Sequence, residues 1–80
     1  MYIVAKKKIG QKNFETLTEE RDLDTALAYF LGIRSEKYNT AKRSCIVTVP
    51  GAENKLVFHA DDHSYHLAYK NPINPNFTTL

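Results

Sequence analysis

Apolar and polar positions along the chain alternate with two different periods, and the change of period marks the elements. From Leu23 the apolar residues fall at 23, 27, 30 and 31, with Ala26 beside them, a single stripe at the helical period of 3.6. Asp22 suits the N-cap of this helix, and Asp24 lies in its first turn, where the positive end of the helix dipole favours a carboxylate. Gly32 is the natural left-handed stop, with Ile33 folding back on Leu27 or Ala28. Thr18, followed by Glu19 and Glu20, offers an alternative start one turn earlier.

Elsewhere the period is that of strands. Residues 2–9 read as a strand, Gly10-Gln11-Lys12-Asn13 as a turn, and residues 14–17 as a short apolar segment that closes a first hairpin. After a polar connection over 34–43, the β-branched run 44–49 predicts a third strand, ended by a Pro50-Gly51 turn. Residues 55–60 and 65–70 follow as two more strands around a polar turn, Asp61-Asp62-His63-Ser64. Asn71-Pro72-Ile73-Asn74-Pro75-Asn76 excludes a central strand or helix, because proline lacks the backbone donor. The chain therefore divides into one domain over 1–70 and a Pro/Asn-rich tail over 71–80. The expected fold is α+β in the order β-β-α-β-β-β, with three to five antiparallel strands and one helix on one face.

Closing the last hairpin on either a two-residue or a four-residue turn sets Ala60 opposite Tyr65, His59 opposite His66, Phe58 opposite Leu67 and Val57 opposite Ala68. One face then carries Leu56, Phe58, Ala60, Tyr65, Leu67 and Tyr69; with an even-numbered loop such as Gly51 to Asn54, Cys45, Val47 and Val49 join it, and it receives the helix. The opposite face carries Ile46, Thr48, Lys55, Val57, His59, His66, Ala68 and Lys70. A single helix covers one side of a sheet, so this second face is expected to meet water or a partner. Its apolar strip of Ile46, Val57 and Ala68, rimmed by lysines and histidines, has the composition of a protein contact site.

Composition narrows the function. Eighty residues with 42% hydrophobic and 25% charged content make one small soluble globule and exclude a disordered or collagen-like chain. The single cysteine, Cys45, forms neither an internal disulfide nor a thiolate zinc site. The amino-terminal run Met1-Tyr2-Ile3-Val4-Ala5 passes straight into lysines without a signal-peptide apolar core, so the chain reads as cytoplasmic, with no membrane partner. No phosphate-cradling glycine loop, helical His-Glu-x-x-His or Gly-x-Ser-x-Gly elbow is present, so neither an enzyme nor a cofactor is expected.

Histidines and aspartates at 59, 61, 62, 63 and 66 have metal-ligand chemistry, yet the hairpin offers two ligands and a flexible third, which falls short of a structural site. Contact or solvated histidines are the expectation there, and no metal is assigned. Charge is informative by position. Lys6, Lys7, Lys8 and Lys12 come first, then Glu15, Glu19, Glu20, Asp22 and Asp24, then Arg34, Lys37, Lys42 and Arg43, for a net charge of +2. Helix-dipole compensation explains Asp22 and Asp24, but not Glu15, Glu19 and Glu20, which suit docking onto lysines and arginines of a partner. The competing expectation is nucleic-acid binding through Lys6, Lys7, Lys8, Lys12, Lys42 and Arg43, with Tyr2, Tyr38, Tyr65 and Tyr69 for stacking.

The strand over 2–9, the acidic approach Glu15 to Asp24, the short helix ending at Gly32 and three closing strands to Lys70 carry a resemblance of layout. In size, in lack of a catalytic motif and in this order, the chain resembles small inhibitor proteins of phages and mobile elements, anti-CRISPR proteins in particular. Its near-neutral charge departs from the strongly acidic DNA mimics among them. The resemblance implies a stoichiometric protein ligand, a monomer or small homo-oligomer, that sterically blocks a nuclease complex in the host cytoplasm. The residues assigned to the partner surface are Glu15, Glu19, Glu20, Asp24, Ile46, Val57, His59 and His66.

Overall fold

The computed structural model describes residues 1–41, 55–71 and 77–80, with backbone only for 38–41 and 77. Strand β1 (Tyr2–Lys8) and β2 (Glu15–Glu20) form the first hairpin, α1 (Leu23–Ala41) follows, and β3 (Val57–Ala60), β4 (His63–Lys70) and β5 (Phe77–Thr79) complete an antiparallel sheet. The fold is α+β in the order β-β-α-β-β-β, with the helix against one face of a five-stranded open sheet. The sheet runs β2-β1-β4-β3, and β5 also pairs with β4. The strand expected over 44–49, with Cys45, Ile46 and the Pro50-Gly51 turn, lies outside the described residues.

Two short strands share the outer edge of β4. β3 pairs with its first half and β5 with its last, Ala68↔Thr79 to Lys70↔Phe77. Leu67 joins them, accepting from the Leu80 amide at 2.9 Å and donating to the Leu56 carbonyl at 3.0 Å, while the Leu56 amide donates to Leu80. The segment 71–80, expected as a tail outside the domain, thus supplies a strand at its far end. Proline restricts only the residues around it, and the edge position of β5 is one that a proline-bounded strand can take.

β1 is central, between β2 and β4, so its lysines do not guard a sheet edge. The alternation along it is clean. Val4 joins the helix-side core with Phe58, Ala60, Tyr65, Leu67, Ala26 and Phe30, whereas Ile3 and Ala5 join Ala68 on the other side, with Phe14 packed over them. One extra residue in β2 breaks the β1 register between Val4 and Ala5, a bulge that bends this border strand. Leu17 packs against the helix-side core and Phe14 against the opposite cluster.

The helix begins where the sequence places it. The Asp22 carboxylate accepts from the Thr25 amide at 3.1 Å and from its hydroxyl at 3.0 Å, a side-chain N-cap. It does not end at Gly32. Nine further residues are helical, and the stripe that meets the core is Ala26 and Phe30 with the half-buried Leu27 and Ile33, leaving Leu23 and Leu31 exposed. Glycine in a helix interior costs about 1 kcal/mol relative to alanine. Contacts beyond it offset that: Ile33 packs on the core, and one turn later Lys37 reaches Asp61 and the face of Tyr65.

The β3–β4 turn is a two-residue one centred on Asp61 and Asp62. Asp61 and Asp62 have φ of 53° and 61°, and Ala60 pairs with His63, which makes a two-residue loop of the type I′ kind. Aspartate tolerates the left-handed region better than most residues, which makes the short loop possible. The register therefore lies two residues from the expected one, with Val57↔His66, Phe58↔Tyr65 and His59↔Ser64. A slip of two leaves every side chain on its own face, so the helix-side core survives the change.

Candidate partner-binding surface

The acidic residues of β2 stand on a border strand that, among the described residues, pairs only with β1. Glu15 is cross-strand from Lys6, their charged atoms 3.5 Å apart, and Glu19 reaches over β1 to Lys70 at 3.3 Å. Glu20, half-buried, accepts from the Thr18 hydroxyl at 2.9 Å. The sheet thus accounts for carboxylates that helix-dipole compensation could not. These are exposed pairs, with 68% of the Glu15 and 45% of the Glu19 side chain open to solvent, worth about 0–1 kcal/mol each. So small a gain leaves both carboxylates able to exchange an internal lysine for an external one. Asp24 is exposed on the first turn of α1, beside the capping Asp22.

In the other half of the expected surface, Val57 is not exposed. Val57 is buried, as are Ile3, Ala5, Ser64 and Ala68 on the same side of the sheet, and Ile46 is outside the described residues. An apolar contact strip at Val57 and Ala68 is therefore corrected to an interior one. The reason lies partly in Phe14, an aromatic from the loop before β2 that folds over this side and meets the His66 ring edge-on, centroids 5.0 Å apart. Sequence periodicity placed residue 14 in a hairpin but could not show which face it would cover.

His59 and His66 are not cross-strand partners in the observed register. His59 is half-buried opposite Ser64. His66 Nε2 is 2.9 Å from the Ser64 hydroxyl and Nδ1 is 3.0 Å from the Thr79 hydroxyl, so both ring nitrogens are engaged within the fold. Burial holds the imidazole well below its ordinary value, at about 4, with the nearby charges of Lys7 and His59 adding to the effect. His63 Nδ1 is 2.7 Å from the Asp61 carbonyl, to which it donates. Among the described residues no three of the histidine, cysteine, aspartate and glutamate side chains are grouped to hold a metal ion.

The basic and aromatic set is also dispersed. Tyr65 is buried, stacked on Phe58 with centroids 4.9 Å apart, and Tyr2 meets Tyr69 edge-on at 5.5 Å. Lys7 donates to the Gln11 carbonyl and lies over the Phe14 ring. Lys6 is paired with Glu15, Lys8 and Lys12 are exposed, and Lys42 and Arg43 lie outside the described residues. No described helix is long and apolar enough to cross a membrane. Compared with known proteins, the chain matches no family model, no curated protein and no solved structure.

Proposed function

We propose that this chain is a small non-enzymatic inhibitor or adaptor that binds a protein through the acidic border strand β2 and the exposed first turn of α1. The observation that supports this most directly is the placement of Glu15 and Glu19 on a strand whose outer side has no neighbour among the described residues, held only by weak, exposed ion pairs. Such carboxylates meet a basic surface at little cost, because the lysines they leave stay in water. The layout resemblance gives the reading its specific form, a cytoplasmic ligand that occupies the nucleic-acid-contacting surface of a CRISPR effector complex and so blocks it sterically. Val57 and His66 have no part in it, since Val57 is buried and His66 is bonded internally.

The test is inhibition of target cleavage by a panel of purified CRISPR effector complexes, with wild type and a Glu15→Lys, Glu19→Lys, Glu20→Lys triple variant. Inhibition at near-equimolar protein, weakened at least tenfold in the folded triple variant and by added salt, is the expected result. Binding to DNA or RNA that falls steeply with salt and drops on neutralising Lys8 and Lys12, with no protein partner recovered, would overturn it in favour of a nucleic-acid-binding module.

A further inference from the structure

His66 sits where three distant segments meet. Its ring bonds Ser64 on its own strand and Thr79 on β5, and carries Phe14 from the loop before β2 on its edge. The Thr79 hydrogen bond ties β5, a three-residue strand, to the far side of the sheet from α1. From this geometry we propose that His66 is a latch that holds β5 and Phe14 in place while its ring is neutral and releases β5 when the ring is protonated.

The charged and titratable groups that face it give the charge no partner. β1 contributes Lys7 and β3 contributes His59, both of which disfavour the imidazolium. Lys70, farther along β4, pairs with Glu19 of β2 and adds a positive charge to the same side of the sheet, and the described β5 residue that meets the ring, Thr79, offers only a hydroxyl. A neutral imidazole has one donor and one acceptor nitrogen, so one of the two hydroxyls donates to it. Protonation makes both nitrogens donors, and that hydroxyl must then turn its hydrogen elsewhere. Ser64 is buried, so the change falls in a place where water does not easily substitute. The strand that yields is β5, because it is the shortest of the sheet and pairs with β4 over three residues, Ala68 to Lys70. Its departure uncovers the outer edge of β4 from Ala68 to Lys70 and frees the Leu67 carbonyl and the Leu56 amide, both of which bond Leu80.

The experiment is an NMR titration of the whole chain between pH 7.5 and 3.5, following the His66 ring and the exchange protection of the Thr78 and Leu80 amides, which the alternation of the ladder directs at β4, corrected for intrinsic rates. The expected result is a His66 midpoint near 4 rather than 6.5, with a tenfold or greater loss of β5 protection over the same range while β1 amides stay protected. His66→Gln, which keeps a neutral donor and acceptor, should hold β5 protection constant across that range. A His66 midpoint near 6.5, β5 protection indifferent to the titration, or an equal loss in His66→Gln overturns the latch. The wild-type titration decides the matter even if the variant fails to fold.

Discussion

The carboxylate of Asp61 stands 2.8 Å from the Lys37 ammonium, tying the β3–β4 turn to a helical turn that lies beyond Gly32. The hydrogen bond to Asp61 raises the lysine above its ordinary value. A raised lysine contributes stability that is complete below the unfolded-state value and is lost as pH rises through the folded one. Asp61→Asn keeps a residue tolerant of the left-handed turn and removes the charge. It should lower stability by about 0.5–1 kcal/mol in urea unfolding, with the difference shrinking at 1 M salt.

Gly32→Ala tests the continuous helix directly. A methyl group at this position meets nothing within 4 Å, and the backbone is helical. The substitution should raise stability by about 0.5–1 kcal/mol, read as an upward shift of the thermal midpoint. A glycine in a left-handed cap would give the opposite sign, so a loss of stability would contradict a helix running to Ala41.

Phe58 is fully buried, stacked on Tyr65 and edge-on to Phe30, so Phe58→Ala should cost about 3–5 kcal/mol, much of the stability of so small a domain. Val57→Asp, on the other side of the same strand, should also unfold the protein, because it places an unpaired carboxylate in a buried site. Circular dichroism at 25 °C checks both. A folded Val57→Asp protein would show that this side of the sheet is a surface after all.

Stability should fall with acid in a window set by His66. Its value is about 4 folded and 6.5 in the unfolded chain, so between those limits the unfolded state binds more protons. The contribution is complete above pH 6.5 and disappears as pH falls toward 4. The full linkage is about 3 kcal/mol, which solvent screening of this partly exposed ring reduces to about 1–2 kcal/mol. Urea midpoints at pH 7, 5.5 and 4 should drop more steeply in wild type than in His66→Gln.

The sequence alone determined the elements with strong local signals. The Asp22 cap and the helix start at Leu23 follow from a side-chain carboxylate meeting orphan amides, and the helix-side core of Phe58, Tyr65 and Leu67 follows from alternation with a period of two. Parity is robust, which is why a two-residue error in register left the faces intact. Tertiary structure decided what local signals leave open. Gly32 favours a stop by its own propensity, and packing of Ile33 and the reach of Lys37 to Asp61 override it. Phe14 covers the sheet face opposite the helix because a loop residue's destination depends on where the hairpin is placed, and the strand at Phe77–Thr79 forms because β4 leaves half of its outer edge open beyond β3. The pairing of Glu15 with Lys6 and of Glu19 with Lys70 likewise depends on β1 lying between β2 and β4, a strand order that no single stretch of sequence contains.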